Sequence, residues 1–161
     1  MPDPYEKEEE ICSGYVELHN KNLHFERIKG CELMKKSDSV SDVLVIWYSY
    51  NKEGEWFVVG WYNHAIVYRN PSKSPTNEYF IAKAENCVLL PKDVRTEQEW
   101  KKPDFLILEQ SYIKYANTPE LEKYSEEISN RINSYDGENW LNRYPPLKKR
   151  KIKILRGKRR K

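Results

Sequence analysis

Aromatic side chains are concentrated in two neighbouring segments of the chain, and these residues are the best suited to bind a flat ligand. Trp47 and Tyr48 lie in one predicted strand, and Trp56, Trp61 and Tyr62 lie in the next. Because alternate residues of a strand face opposite sides of a sheet, some of these rings are expected in the core and others on the opposite face. Exposed rings are suited to stacking on an unpaired base or enclosing an N-methyl group. Ordinary packing in the core is the alternative.

Residue patterns for catalysis and metal binding are weak. The three histidines, His19, His24 and His64, lack the close spacing of a metal-binding pair. The six glycines are isolated and form no phosphate-binding loop, which disfavours nucleotide hydrolysis and dinucleotide redox chemistry. The three cysteines are widely spaced without a C-x-x-C pair, so we expect buried thiols in a reducing compartment. The sequence therefore predicts no catalytic residue, no metal site and no cofactor.

The charge of the chain is concentrated at its two ends. Residues 1–10 hold five acids and one lysine, whereas residues 148–161 hold ten basic residues and no acid. We expect an acidic, solvated N-terminal arm and a basic, disordered tail or inter-domain linker, because like charges repel one another. The candidate phosphate-binding residues are Lys148, Lys149, Arg150, Lys151 and Lys153. A solubilising end or a nuclear-import signal is the alternative for the tail.

Between these ends, the spacing of apolar and turn residues predicts mainly strands. Residues 43–50 and 56–62 form a predicted hairpin around the turn at 51–55, and Asn63-His64 indicates a tight bend or bulge. Further strands are predicted at residues 14–18, 23–25, 65–69, 79–84 and 87–90, of which the first two would form a small hairpin.

One helix is clearly indicated after residue 117. Thr118 is suited to cap it and Pro119 to occupy its first turn. Its predicted buried face consists of Leu121, Tyr124, Ile128, Ile132 and Tyr135. A second, short helix is predicted over residues 93–100. Residues 11–147 are thus expected to form one α+β domain, a small curved β-sheet or barrel of five to seven strands with one or two flanking helices.

The longest apolar run, residues 43–48, is far shorter than the roughly 20 residues of a membrane helix. The acidic N-terminus is also unlike a signal peptide. We therefore expect no membrane partner and a cytoplasmic location, or a nuclear one in a eukaryote.

Several segments resemble PUA-like domains of the EVE and YTH type, which occur as targeting domains in prokaryotic modification-dependent restriction proteins. The first resembling stretch covers residues 45–49 and 57–69, and its most specific part is the block from Gly60 to Arg69. Residues 89–95 and 110–116 resemble two shorter blocks of this family, in the same order. The resemblance spans roughly residues 14–135.

This resemblance implies a closed or nearly closed β-barrel whose aromatic pocket receives a modified base from DNA or RNA. The residues at matching base-binding positions are Trp47, Trp61, Tyr62, Gln110 and Ser111. The chain departs from the family pattern at Glu109, Tyr112 and Lys114, where the family has Gly, Asn and Trp. These departures would alter a pocket wall or its polar contacts.

The leading hypothesis is a nucleic-acid-binding module without catalysis that recognises a modified, methylated base. Modified DNA is favoured over RNA, and a motor or nuclease subunit or domain would be its partner in a restriction system. One alternative is a protein-interaction domain that uses exposed aromatic residues. Another is a small hydrolase acting on modified nucleosides, which would require Lys114, Ser111 and Glu109 to converge.

Overall fold

A long β-hairpin with a helix packed against it forms the centre of the protein. The computed structural model describes residues 6–16, 18, 23–108, 113–143 and 150–155. The elements in chain order are β1 (Glu6–Gly14), β2 (Ser39–Tyr50), β3 (Trp56–Tyr68), β4 (Phe80–Lys83), β5 (Cys87–Leu89), α1 (Pro119–Ser134) and β6 (Arg150–Leu155). The predicted α+β class is confirmed.

All strand pairings are antiparallel, in the order β2-β3-β4-β1-β6, and β5 pairs with β3 next to the β4 pairing. The central strand β3 therefore contacts three neighbours. Within the described residues, β2 and β6 are the outer strands and do not pair with each other. The sheet is therefore open. Of the two forms that the sequence allows, a curved sheet and a barrel, the closed barrel does not form.

The hairpin predicted around residues 51–55 is confirmed. The N–H of Asn51 donates to the Glu55 carbonyl at 3.0 Å, and Gly54 adopts a φ of 79° in the turn. The bulge predicted at Asn63-His64 is also confirmed, because His64 has a φ of 53° and the register of β2 and β3 shifts there. Residues 65–68 consequently continue β3 instead of forming a separate strand.

The two faces of the sheet are buried by different parts of the chain. On one face, Trp61 and Val58 of β3 pack against Ile128 and Ile132 of α1 and against Trp100. On the other face, the segment after β1 supplies the buried residues that cover β3 and β4. These are Leu23, Phe25 and Cys31, which pack with Val40, Val67, Tyr79 and Phe80.

Helix α1 begins and ends where the sequence indicates. The Thr118 hydroxyl accepts a hydrogen bond from the Leu121 N–H at 3.3 Å, and Pro119 occupies the first turn. Ile128 and Ile132 are buried, and the helix ends at Ser134, just before the Asp136-Gly137 turn. None of the helices in the described residues is long and apolar enough to span a membrane.

Two predicted elements are wrong. Residues 15, 16, 18 and 23 lie outside strands, and Phe25–Arg27 is a single 3-10 turn, so no hairpin is formed there. This segment is an irregular loop whose apolar side chains enter the core. The spacing of these side chains in the sequence resembles that of a strand. Residues 93–100 form turns, and only Gln98–Trp100 is a 3-10 helix. Trp100 is the only buried residue of this segment, so the segment has no apolar face that a longer helix could pack against the core.

The charged ends of the chain meet at the edge of the sheet. Residues 6–11 of β1 pair with residues 150–155 of β6, which places Glu8 opposite Lys153 and Glu10 opposite Lys151. Opposite charges at directly opposing positions favour an antiparallel pairing. These parts of the predicted solvated arm and disordered tail are therefore paired strands, whereas Lys148, Lys149 and residues 156–161 lie outside the described residues.

We predict that Trp61→Ala destabilises the protein, because Trp61 is only 3% exposed and stacks on Trp100 with a centroid separation of 5.4 Å. Removing a buried aromatic side chain costs about 3–5 kcal/mol of unfolding free energy. Urea unfolding measures this change. Tyr50→Ala, which removes an exposed ring of the same hairpin, is the control and should change stability by less than about 1 kcal/mol. Equal effects of the two substitutions would contradict the assignment of Trp61 to the core.

Candidate functional site

A cleft of about 430 Å³ follows the outer edge of β2. Residues 43–48 of β2 line it from both faces of the sheet, and Leu121, Tyr124 and Ile128 of α1 line it on the helix side. The opposite wall consists of residues 106, 108 and 113–116, which cross the edge of the strand. Small-molecule sites typically have volumes of about 300–1,000 Å³, so the cleft is large enough for one small ligand or one base.

Trp47 lies in this cleft with its indole held by two rings. Tyr62 and Phe80 both meet it edge to face, each at a centroid distance of 5.4 Å. The indole Nε1 is buried, and it has no hydrogen-bond acceptor among the described residues. A buried donor without a partner costs about 1–3 kcal/mol of stability.

The position of the Trp47 indole depends on Gly14 at the end of β1. A Cβ at residue 14 would lie 2.6 Å from Cζ2 of Trp47 and 3.5 Å from the Tyr62 hydroxyl. Any larger residue would displace the indole from the cleft wall, since real Cβ contacts are not that short. The end of β1 therefore sets where the ring stands.

A pair of tyrosines joins the sheet to the helix at the cleft. The hydroxyl groups of Tyr48 on β2 and Tyr124 on α1 are 2.7 Å apart, and both residues line the cleft. Burial raises the pKa of both phenols above the ordinary value. Both hydroxyls are therefore neutral at physiological pH and act as hydrogen-bonding groups.

Tyr115, in the cleft wall, contacts the loop that covers the face of the sheet opposite α1. Its hydroxyl accepts a hydrogen bond from the His24 backbone N–H at 2.9 Å, and the Arg27 guanidinium lies 5.9 Å from its ring centroid. Burial raises the pKa of this phenol, so the hydroxyl remains protonated. The contact fixes residues 113–116 across the edge of β2.

The charges around the cleft are arranged unevenly. Lys29 and Lys114 line it at the loop side, whereas Glu122 and Glu126 lie on the first turns of α1, beside an adjoining groove that also includes Lys29. Asp42 lines the cleft too, and its carboxylate lies 2.5 Å from Nδ1 of His64. A polyanion is therefore repelled at the helix side and attracted at the loop side.

Comparison with known proteins does not assign this chain to a family. No family model, no curated protein and no solved structure matches it.

Trp47 and Trp61 are both predicted to contact the base, but the structure places them on opposite faces of the sheet. Trp61 is on the helix face of the sheet, where Tyr135 meets it edge to face at 5.6 Å, while Trp47 is on the loop face. A sandwich between Trp47 and Trp61 is thus not formed, because the sheet lies between them. Tyr62, in contrast, shares the face of Trp47 and touches it.

The remaining predicted site residues are only partly placed. Gln110 and Ser111 lie outside the described residues, although Leu108 and Ile113 on either side of them line the cleft. Lys114 lines the cleft as well, whereas its hypothetical catalytic partners Glu109 and Ser111 lie outside the described residues. Where the chain is described, no three His, Cys, Asp or Glu side chains form a group that could hold a metal.

Sequence reasoning missed three residues that shape the site, namely Gly14, Lys29 and Tyr115. Tyr115 carried a signal, since it belongs to a segment that resembles the PUA-like family. Lys29 and Gly14 carried none, because their positions depend on contacts between distant parts of the chain.

We predict that alkaline pH destabilises the protein partly through Tyr48 and Tyr124. Both pKa values are raised on folding, so the stabilising effect is complete below about pH 10, the ordinary pKa of tyrosine, and is lost as the pH rises above it. Each such group contributes at most about 1.4 kcal/mol per pH unit to this loss.

Urea unfolding at increasing pH above neutrality measures the effect. The double substitution Tyr48→Phe with Tyr124→Phe removes both hydroxyls and leaves no orphaned partner, so it should fold at neutral pH and lose less stability in alkali. An unchanged pH slope in the double variant would refute the assignment.

Proposed function

We propose that this protein is a nucleic-acid-binding module that accepts a methylated base in the cleft beside Trp47. The observation that carries the proposal is the buried indole N–H of Trp47, which has no acceptor among the described residues of the free protein. A base has a flat face that can contact the surrounding rings, and acceptor atoms on its edges that can satisfy this donor once a shift of the indole exposes Nε1.

The free energy that the cleft can supply is comparable to the free-energy cost of moving a base out of its stack. Moving a base out of its stack costs a few kcal/mol, and contacts with aromatic rings return about 1–3 kcal/mol per base. Hydrogen bonds from Trp47 and from the Tyr48-Tyr124 pair would supply the rest. A methyl group adds apolar surface that the lining residues Val45, Ile113 and Leu121 can bury.

The resemblance to EVE and YTH domains suggests the biological setting. It favours modified DNA over RNA as the ligand and a targeting role in a modification-dependent restriction system, with a motor or nuclease as partner. The open sheet and the separation of Trp47 from Trp61 differ from the closed barrel and the paired residues that the resemblance implies. The proposed contacts are therefore those of this cleft, with Tyr62 as the second ring.

Phosphate contacts are proposed for the basic C-terminal segment. Lys151 and Lys153 are registered opposite Glu10 and Glu8 in the pairing of β6 with β1. The tail then contributes affinity without reading the base, since phosphate contacts carry no sequence information.

We predict that Trp47→Phe weakens binding of a methylated oligonucleotide. The substitution keeps an aromatic ring and breaks no internal hydrogen bond of the described structure, since Nε1 has no acceptor there. Loss of one hydrogen bond corresponds to an affinity decrease of about 2- to 10-fold. Fluorescence anisotropy with oligonucleotides that contain N6-methyladenine, 5-methylcytosine or no modification measures the change at low salt.

Tyr50→Ala is the matched control, because Tyr50 is an exposed ring at the end of the same strand and does not line the cleft. Equal preference for the methylated oligonucleotide in wild type and in a folded Trp47→Phe protein would remove Trp47 from the site. If wild type binds none of the oligonucleotides at low salt, the proposal fails and a protein-interaction domain becomes the better reading.

We predict that neutralising the basic segment weakens binding to every oligonucleotide by the same factor. The variant replaces Lys148, Lys149, Arg150, Lys151 and Lys153 with Gln. The dependence of affinity on salt should become shallower, because fewer counterions are released. Titrations at low and physiological salt measure the slope. A selective loss of preference for the methylated oligonucleotide would instead make this segment a base reader.

A further inference from the structure

The loop of residues 27–36 presents an apolar side chain fully to solvent. Leu33 at its tip is 97% exposed, and the neighbouring Met34 is also exposed. A single exposed leucine is ordinary on a mobile surface. This loop is different because its backbone is held in place by the core beneath it.

Consecutive turns and a half-buried arginine fix the loop. The N–H of Met34 donates to the Cys31 carbonyl at 2.9 Å, and the N–H of Ser37 donates to the Met34 carbonyl at 3.1 Å. Cys31 is buried, and the Arg69 guanidinium donates to the carbonyls of Ser37 and Lys35. Leu33 is thus held in solvent by a preorganised backbone.

The loop is basic. Arg27, Lys29, Lys35 and Lys36 are all exposed on it. Its one acid, Glu32, and the preceding Glu26 have local partners. Glu32 accepts the Gly30 backbone N–H at 3.0 Å, and Glu26 lies 3.6 Å from the His24 ring. A fixed apolar tip on a loop with four exposed cations is complementary to a polyanion that has an apolar interior, and a nucleic-acid duplex is such a partner.

The loop also borders the cleft. Ile28 and Lys29 line the cleft, so the loop that carries Leu33 begins at the cleft wall, and Leu33 follows Lys29 by four residues. When a base leaves its stack, it leaves a gap between its neighbours, and proteins that distort a duplex commonly insert an apolar side chain between base steps.

We propose that Leu33, supported by Met34, is a wedge that enters the base stack of a duplex while the displaced base occupies the cleft. This inference rests on the function proposed above and adds a second contact with a separate role. Trp47 would contact the displaced base in any nucleic acid, whereas Leu33 would act only where a stacked duplex has a gap to fill.

The experiment compares Leu33→Ser with Ile107→Ser, which changes another exposed aliphatic residue (54% exposed) that does not line the cleft. Each protein is titrated with the same N6-methyladenine or 5-methylcytosine strand, either alone or as a duplex. For Leu33→Ser we expect about a 10-fold or greater loss of duplex affinity, the size of the effect of exposing one buried aliphatic side chain. Single-strand affinity should stay unchanged, and Ile107→Ser should match wild type on both ligands.

The outcomes separate this inference from the proposed function. If wild type prefers the methylated strand and Leu33→Ser keeps its full duplex affinity, the wedge is refuted and the cleft proposal stands. If Leu33→Ser weakens both ligands equally, Leu33 is a general contact and the wedge is likewise refuted. If wild type binds neither ligand, both proposals fail together.

Discussion

A one-residue bulge in the central hairpin determines which face of the sheet each aromatic residue occupies. Near the turn, Tyr50 lies opposite Trp56, and an unbroken register from that pair would bring Trp61 opposite Val45. The register instead shifts between Trp47 and Tyr48, so that Trp61 lies opposite Ile46. Because residues that oppose each other share a face, this shift moves Trp61 to the side opposite Trp47. One tryptophan becomes core and the other becomes the wall of a cleft.

Close approaches between backbones keep this arrangement in place. Gly60 lies opposite Trp47, and a Cβ there would stand only 2.3 Å from the Val88 carbonyl oxygen. The missing side chain lets β5 pair with β3, which holds β3 between β2 on one side and β4 and β5 on the other. Gly14 similarly leaves room for the Trp47 indole. The bulged register is therefore fixed by contacts on both edges of β3.

The sequence predicts the parts of the structure that local signals specify. The hairpin turn at Asn51–Glu55 and the capped helix from Pro119 to Ser134 are confirmed because turn chemistry, capping and apolar spacing lie within each segment. The segment around Leu23 and Phe25 is mispredicted because alternating apolar residues look the same in a strand and in a loop whose side chains enter the core. The faces of Trp47 and Trp61 depend on a bulge that no local signal at Val58–Gly60 reveals.

The segment that resembles EVE and YTH domains is used mainly to build the scaffold. Gly60 admits β5, Trp61 fills the core beneath α1, and Arg69 holds the 27–36 loop while its guanidinium lies 4.5 Å from the Phe25 ring centroid. Tyr62 of that segment meets the Trp47 indole edge to face. A resemblance in such residues bears on the fold more than on the ligand. Ligand choice would depend instead on residues from separate parts of the chain, among them Lys29 and Tyr115, which both line the cleft.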